Sequence, residues 1–232
     1  MARRRRESGA DVLFALVTLF PWWVGVVLAV LTYAILHRVA VMQIEPVSAP
    51  GQIGQWAIKN AIKGAAAFGQ YVLPIPLLVG ALSSALARKK RRGLFHEAAA
   101  DSSGAAIRSM SWREFELLIG EAYRNKGYAV AELGGAGADG GVDLRLTKGR
   151  EVVLVQCKQW KAFKVGVTVI RELYGVMTAQ RATGGIVVTS GVFTKEASNF
   201  ADECGIDLID GASLRRLIDE AKKTVSRLKN RP

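Results

Sequence analysis

The chain has 232 residues, of which half are hydrophobic, and its 32 lysines and arginines against 20 acidic residues give a net charge of +12. The hydrophobic content excludes a disordered polar chain, and the length suits one or two domains. Two cysteines, Cys157 and Cys204, exclude a disulfide-rich secreted scaffold. Two histidines, His37 and His96, are too few for a histidine-rich metal site or a Ser-His-Asp triad.

The positive charge is concentrated beside apolar segments. Residues 1–109 carry 13 basic and 5 acidic side chains, whereas residues 110–232 carry 19 and 15. Much of the excess lies in two runs, Arg3–Arg6 and Arg88–Arg92. The overall charge is therefore a poor argument for nucleic-acid binding, because a membrane explanation competes with it.

The first apolar segment, residues 12–36, contains 25 residues without a charge. A helix of this length spans the hydrocarbon core of a bilayer, roughly 30 Å thick, with some tilt. Pro21, next to Trp22 and Trp23, predicts a kink inside it. A cleaved signal peptide is the alternative, but the stretch is too long and no small-residue cleavage site follows it. The pattern therefore favours a transmembrane helix.

The second uncharged segment, residues 64–87, is interrupted by Pro74 and Pro76. Membrane helices tolerate prolines where neighbouring groups satisfy the freed carbonyls, and the small residues of this segment allow close packing on the first helix. A buried or re-entrant segment is the alternative. Together the two segments predict a membrane anchor over residues 1–92, with the lipid bilayer as a partner.

The cations predict the orientation of this anchor. They precede the first segment and follow the second, whereas the connecting loop contains only Arg38, Lys59 and Lys63. The positive-inside rule then places the N-terminus and everything after residue 92 in the cytoplasm, so we expect a multi-pass protein of the cytoplasmic (inner) membrane. Residues 93–109, rich in alanine, serine and glycine, predict a linker to a soluble domain over residues 110–232.

The soluble domain begins with a capping-box sequence, in which Ser111 and Glu114 satisfy each other's backbone amides at the start of a helix that Gly127 ends. The remaining pattern gives the order α-β-β-β-α-β-α-β-α, which predicts a mixed α/β fold. The strand at 151–158 is mostly apolar and is expected to be central. The other predicted strands are 129–133, 142–147, 185–190 and 206–209, and the later helices are 167–180, 194–203 and one that begins at 212.

The hairpin formed by the second and third strands carries the most informative geometry. If Lys148 and Gly149 form a two-residue loop, Asp143 is the diagonal neighbour of Gln156 across the ladder. A three-residue loop would invert the alternation and separate them. With the two-residue loop, five side chains lie on one face, and these are Asp143, Arg145, Leu154, Gln156 and Lys158.

A carboxylate, an amide and an ammonium group on one face suit metal-dependent chemistry. Mg²⁺ binds one or two carboxylates together with waters and a substrate phosphate. A nearby lysine such as Lys158 can orient water and offset charge on phosphorus. Glu116, on the first helix of the domain, is a candidate for a further acid. The alternatives are that Asp143 serves turn chemistry and that Lys158 is a solvated strand end.

The glycine-rich stretch between the first two strands matches the dinucleotide-binding fingerprint at Gly135, Gly137 and Gly140. That motif requires a helix directly after the glycines, but a strand is predicted there. The sequence therefore disfavours a Rossmann site, and the stretch is interpreted as a loop near the hairpin.

These residues resemble the Mrr-type restriction endonuclease catalytic domain, a branch of the PD-(D/E)xK nucleases. The resemblance implies a restriction-endonuclease-like mixed sheet flanked by helices and Mg²⁺-dependent hydrolysis of DNA phosphodiesters, with Mn²⁺ as a substitute ion. It covers about residues 110–220 and rests on Phe115-Glu116, the segment 139–143, Gln156-Cys157-Lys158, and the segments 165–167, 187–194 and 208–211.

The resemblance implies roles for individual residues. Asp143 corresponds to the metal-binding aspartate, Lys158 to the motif lysine and Glu116 to the helical acid of this branch. Gln156 stands where most of the superfamily has a carboxylate, but the Mrr branch itself resembles QxK, so its amide oxygen is a candidate ligand. The Cys157 carbonyl is a further candidate ligand, while the Cys157 thiol is expected to pack in the core.

The DNA contacts are predicted from cations near this motif. Lys161 and Lys164 flank Phe163, a pattern typical of a basic and aromatic patch along a phosphate path. Arg145 and Arg171 are further candidates. The alternative is a solvated surface in which the aromatic residues belong partly to the core.

The sequence as a whole predicts a membrane-anchored, Mg²⁺-dependent endodeoxyribonuclease that restricts foreign DNA. Cutting both strands usually needs two active sites, so a homodimer is a further expected partner. One alternative is a membrane-tethered DNA-binding or sensing module with the same fold and little or no cleavage. Another is a structural membrane protein whose soluble domain binds a partner protein.

Overall fold

The computed structural model describes residues 22–46, 53–133, 141–158 and 164–229. The chain forms two compact units, one within Met1–Lys89 and the other within Lys90–Pro232. The apolar segments belong to the first unit, and the predicted nuclease motifs belong to the second.

The N-terminal unit is helical, with α1 (Trp22–Ala40), α2 (Ile53–Val72) and the first part of α3 (Pro74–Ala100). The segments Trp22–Ala40 and Ile53–Ala100 are long and apolar enough to cross a membrane, judged by length and composition. Large apolar side chains are exposed along them, and Ile35 and Phe68 reach 63% and 72% exposure. A helix from the core of a soluble protein would bury such side chains, so these helices are unlike core helices.

Close contacts hold this unit together. His37 Nδ1 and Gln70 Oε1 lie 3.0 Å apart and join α1 to α2. Gly25 lies so close to α3 that a Cβ there would be 3.1 Å from the Ala81 Cβ. Small residues therefore allow these helices to approach each other, as predicted for the second apolar segment.

The helix boundaries differ from the predicted membrane segments. Residues 12–21, with the predicted kink, lie outside the described residues. The second predicted segment, 64–87, is not one helix, because α2 ends at Val72 and α3 begins at Pro74. Proline lacks the N–H that a continuous helix needs and is favoured at the first helical position, so Pro74 ends one helix and starts the next.

The linker predicted at residues 93–109 is instead folded. Helix α3 continues to Ala100, and α4 spans Ala105–Ser109. Phe95 and Ala98, on one face of α3, are 3% and 2% exposed and belong to the core of the C-terminal unit. The alanine-rich composition was interpreted as flexible, but alanine also has the highest helix propensity, and the i, i+3 spacing lets one face pack.

The C-terminal unit contains a five-stranded mixed sheet. Its strands are β1 (Ala129–Glu132), β2 (Leu144–Lys148), β3 (Glu151–Cys157), β5 (Gly184–Val188) and β7 (Ile206–Ile209), and two shorter strands are β4 (Lys164–Val165) and β6 (Val192–Phe193). The order in the sheet is β1-β2-β3-β5-β7, with β1, β2 and β3 antiparallel and β3, β5 and β7 parallel. The central position predicted for β3 is confirmed, while the pairing of β4 with β6 was not predicted.

Helices cover both faces of this sheet, and they are α5 (Trp112–Asn125), α6 (Val167–Gln180), α7 (Lys195–Cys204) and α8 (Gly211–Lys229). Helices α5 and α8 pack on the face that carries Leu144 and Val155. Helices α6 and α7 pack on the opposite face, which carries Leu154 and Val187. The unit therefore has the predicted mixed α/β architecture, with a sheet between two helical layers.

Candidate active site

The turn between β2 and β3 lies one residue later than predicted, which shifts the pairing register by two residues. Lys148 pairs with Glu151, so the two-residue turn is Gly149-Arg150 rather than Lys148-Gly149. Gly149 has a φ of 60°, which suits the glycine that a type II′ hairpin turn takes at its first central position. The local signal was ambiguous because either dipeptide contains this glycine.

Inside the ladder, a register shift of two residues leaves each side chain on its predicted face, so Arg145 still shares a face with Leu154. Asp143 precedes β2 and lies outside the ladder, which begins at the pair of Leu144 and Val155, and its contacts to β3 are with Val155 and Cys157. Lys158 follows β3 with the same alternation. The hairpin therefore gathers the acid, the amide and the lysine at one end of β3.

Asp143 is half-buried and held by β3. Its Oδ2 accepts a hydrogen bond from the Cys157 N–H at 2.7 Å, and its own N–H donates to the Val155 carbonyl at 2.9 Å. Burial is the main cause that raises the pKa of Asp143 to about 6. The Cys157 N–H and the charge of Lys158 lower this pKa, whereas Glu116 raises it through like charge and a hydrogen bond. Glu116, Asp143 and Lys158 therefore share one electrostatic environment.

Glu116 enters the site from α5. The capping box predicted at Ser111 and Glu114 is present and defines the start of this helix. Glu116 is 3% exposed, and its Oε2 accepts a hydrogen bond from Arg113 Nη1 at 2.9 Å. A buried carboxylate needs such a partner. Arg113 therefore fixes the orientation of the Glu116 carboxylate.

Gln156 supplies a buried amide near the end of β3. It is 1% exposed, and no described residue provides a hydrogen-bond partner for its Oε1 or Nε2. Gly141 packs so closely against it that a Cβ there would lie 2.5 Å from Nε2. Burying an amide without a partner is costly, and an amide oxygen is among the oxygen ligands that hard divalent cations accept. The residues present therefore fit a hard divalent cation.

Lys158 and Cys157 point to opposite faces of the sheet. The Lys158 N–H donates to the Val188 carbonyl at 2.8 Å, which fixes its backbone beside β5. The Cys157 thiol is 1% exposed in the core, where burial raises its pKa, and the carbonyl of Cys157 stays a predicted ligand. The described residues contain no cluster of three or more His, Cys, Asp or Glu side chains suited to a metal. The donor set is therefore two carboxylates and an amide.

The predicted DNA-binding residues are only partly described. Lys161 and the glycine-rich stretch 134–140 lie outside the described residues. Arg145 on β2 and Lys164 on β4 are exposed. Arg171 is exposed on α6, with its guanidinium 5.3 Å from the centroid of the Phe200 ring. Three of the four cations thus lie at the surface, and their contact with DNA stays a prediction.

Arg113 and Glu132 are residues around the site that the sequence analysis missed. Arg113 Nη2 donates to Glu132 Oε2 at 3.0 Å, so one guanidinium joins Glu116 to an acid on β1. The i, i+3 spacing of Arg113 and Glu116 was a signal for the first contact. The sequence offers no comparable signal for the contact between α5 and β1.

Gln156 and Lys158 lie at the end of the central strand β3, and Asp143 is electrostatically coupled to Lys158 and to Glu116 of α5. Residues 107–218 match the Mrr_cat family, which is described as a restriction endonuclease. The match lies within the C-terminal unit and includes all four predicted catalytic residues, Glu116, Asp143, Gln156 and Lys158.

The chain is also similar to a curated relative, the type IV methyl-directed restriction enzyme EcoKMrr of Escherichia coli (strain K12). The two are 33% identical over an alignment 139 residues long, which covers 56% of this chain and 45% of the relative. The chain therefore spans less than half the length of that relative.

Similarity to solved structures is weaker. AF1548, a protein of unknown function, is 16% identical, with 46% of this chain and 64% of that chain covered and a TM-score of 0.39. The DNA modification-dependent restriction endonuclease AspBHI is 14% identical, with 61% and 39% covered and a TM-score of 0.38. The MspJI restriction endonuclease, in complex with a 27-mer oligonucleotide, is 23% identical, with 62% and 35% covered and a TM-score of 0.33.

Proposed function

We propose that this chain is a membrane-anchored, Mg²⁺-dependent endodeoxyribonuclease that restricts foreign DNA. The observation that carries the proposal is the buried amide of Gln156, which has no partner among the described residues and directly precedes Cys157, whose N–H binds the carboxylate of Asp143. Glu116 is electrostatically coupled to that carboxylate. This donor set lies inside a restriction endonuclease domain. Its chemistry therefore agrees with that of the family.

Glu116, Asp143 and Gln156 are the proposed metal ligands. Bound there, Mg²⁺ would supply Lewis-acid stabilisation of the charge that develops on the scissile phosphate. Lys158 contributes a positive charge on the same face, where it orients the attacking water and offsets phosphate charge. The water forms a bond to phosphorus as the bond from phosphorus to a deoxyribose oxygen breaks. The water loses a proton and the leaving oxygen gains one, so the products are a phosphate monoester and an alcohol.

The proposed DNA path runs along the exposed cations near this end of the sheet. Arg145 and Lys164 are exposed, and Lys161 and Arg171 are the other predicted contacts. Phosphate contacts of this kind bind the backbone without reading sequence. The methyl-directed activity of EcoKMrr supports testing methylated DNA first, and two copies of the chain would cut both strands.

The membrane anchor is proposed from the N-terminal helices. Their large apolar side chains are exposed, and the basic run Arg88–Arg92 follows them. A bilayer would cover such side chains, and the run favours the cytoplasmic side. The nuclease unit is therefore proposed to lie in the cytoplasm at the inner membrane.

The test is nicking of supercoiled plasmid by the full-length chain in detergent micelles, with Mg²⁺ or with EDTA, on methylated and unmethylated DNA. We expect nicking only with Mg²⁺, and loss of about 10²-fold or more in Asp143→Asn and in Lys158→Met. Asp202→Asn, an exposed aspartate on α7, is the matched control and should nick like the wild type. Nicking that survives both site substitutions would exclude this site as the source of the activity.

A tethered DNA-binding module without cleavage is the second candidate. The neutral amide of Gln156 favours it, because an amide holds a divalent cation less tightly than a carboxylate does. Retention of DNA at low salt by a wild-type chain that nicks no substrate would support this candidate. Nicking that requires Mg²⁺ would exclude it.

A further inference from the structure

The residues directly before the family match are packed into the C-terminal unit. Phe95 and Ala98 are buried in the core cluster that also contains residues of α5 and α8. Lys222 Nζ donates to the Ala99 carbonyl at 3.3 Å, and Arg215 Nη2 donates to the Asp101 carbonyl at 2.7 Å. The end of α3 is therefore part of the folded nuclease unit, although the family match begins only at residue 107.

Part of the basic run Arg88–Arg92 pairs with acidic residues of this unit. Lys90 Nζ lies 3.1 Å from Glu114 Oε1. Arg91 Nη1 lies 3.6 Å from Glu132 Oε1, and Arg91 Nε lies 3.8 Å from Glu121 Oε2. The Arg91 side chain is only 19% exposed, so it is poorly placed to meet a lipid headgroup or a DNA phosphate.

Glu132 joins Arg91 to the candidate active site. Its Oε2 accepts from Arg113 Nη2 at 3.0 Å, and its Oε1 accepts from Arg124 Nη2 at 2.9 Å. The other arm of Arg113 holds Glu116 at 2.9 Å. A guanidinium is a planar, rigid fork, so the position of Glu132 determines how Arg113 presents itself to Glu116. Arg91 restrains Glu132 from the side of α3.

We propose that Arg91 is a positioning residue for the metal site, acting through Glu132 and Arg113 on the carboxylate of Glu116. The inference rests on the proposed function, because it takes Glu116 as a metal-binding acid. Its consequence is that the catalytic unit includes the end of α3. Arg91 thereby helps to position the metal site, in addition to the contribution of its charge to the orientation of the chain in the membrane.

The test compares two arginines of the same run in the full-length chain in detergent micelles. Arg91→Gln breaks the contact with Glu132, whereas Arg92→Gln removes an equal charge from an exposed neighbour. Mn²⁺ affinity is measured by electron paramagnetic resonance without DNA, so the readout does not depend on cleavage. We expect Arg91→Gln to weaken Mn²⁺ binding by about threefold to tenfold and Arg92→Gln to leave it unchanged.

A double-substitution cycle tests whether the effect passes through Glu132. Glu132→Gln should also weaken Mn²⁺ binding, and the double variant with Arg91→Gln should lose less than the product of the single losses, because both substitutions break one path. Multiplicative losses would overturn the relay. Arg91→Lys, which keeps the charge but not the fork, should fall between the wild type and Arg91→Gln, and it serves as the test if Arg91→Gln does not fold.

Cleavage is scored separately from metal binding. In the nicking assay Arg91→Gln should need more Mg²⁺ and should have a lower kcat at an unchanged KM for DNA. Wild-type Mn²⁺ affinity in both Arg91→Gln and Arg91→Lys would overturn the inference even if the wild-type chain nicks DNA. A wild-type chain that binds Mn²⁺ but nicks nothing would overturn the proposed function, while the affinity difference would still decide the role of Arg91.

Discussion

At Gly141, the substitution to alanine should distinguish an effect on the candidate metal site from an effect on the stability of the fold. A Cβ at this position would lie 2.5 Å from Gln156 Nε2, and the φ of Gly141 is 79°. Gly141→Ala therefore combines two effects. The left-handed backbone conformation destabilises an alanine by about 1–2 kcal/mol, and the methyl group displaces the Gln156 amide.

The two effects can be separated with a matched glycine. Gly127, after α5, has a φ of 89°, but a Cβ there meets no described atom within 4 Å. Gly127→Ala should lose the same 1–2 kcal/mol, about 3–8 °C in melting temperature for a unit of this size, without touching the site. The clash at Gly141 is with the end of a flexible side chain, so moving the amide relieves it, and the loss of stability should be similar in the two variants.

The assay measures melting temperature in EDTA and Mn²⁺ affinity for both variants in the full-length chain. We expect similar melting temperatures, but an affinity for Mn²⁺ that is about tenfold or more weaker only in Gly141→Ala, because only there does the amide oxygen lose its position. Wild-type Mn²⁺ affinity in Gly141→Ala would refute the assignment of Gln156 as a ligand. A melting temperature far below that of Gly127→Ala would show that the amide cannot move and that the clash is structural.

Three further expectations concern stability, packing and DNA. Burial raises the folded-state pKa of Asp143 to about 6, above its ordinary value of 3.8, so the free energy of unfolding falls as the pH rises between these values. In EDTA at pH 8, Asp143→Asn should therefore melt at a higher temperature than the wild type, and this difference should disappear near pH 4. Mg²⁺ should raise the melting temperature of the wild type but not of Asp143→Asn. Gly25→Leu should lower the free energy of unfolding of the chain in detergent by about 1–3 kcal/mol, because its side chain would collide with α3. Gly64→Leu is the control and should not lower it, because a Cβ at Gly64 meets no described atom within 4 Å. Arg145→Gln and Lys164→Gln should each reduce the slope of log affinity for DNA against log salt concentration by about 1, measured by fluorescence anisotropy, and an unchanged slope would exclude the substituted cation from the phosphate path.

The elements that position the site were predictable because their signals are local. The capping box at Ser111 and Glu114 sets the start of α5 and hence the place of Glu116. Strand alternation put Arg145 and Leu154 on one face, and this survived a wrong turn assignment because a register shift of two residues preserves the face. The register of β2 against β3 could not be predicted, since it depends on which dipeptide around Gly149 forms the turn.

The errors occurred where composition and tertiary packing disagree. Residues 93–109 have the composition of a linker, yet Phe95 and Ala98 pack in the core. Whether such a segment folds depends on whether the rest of the unit offers an apolar surface for its side chains, and composition alone does not show this. The second apolar segment remains a candidate membrane span, but its helix bounds differ from the prediction, because Pro74 starts a new helix.

The ion pairs around Glu116 belong to a third category, since they join segments far apart in the chain. Arg91, Arg113 and Arg124 reach Glu132 from α3 and α5, and each of these arginines taken alone is an ordinary charge on a helix. Only the folded structure shows that the three arginines share one acidic partner. Arg113 is half exposed, but its two acidic partners are only 4% and 18% exposed, so the positions of those carboxylates depend on the arginines that neutralise them. A site that needs Glu116 in one place therefore depends on residues that a family motif does not include, and for Arg91 the dependence extends to the segment that follows the proposed membrane helices.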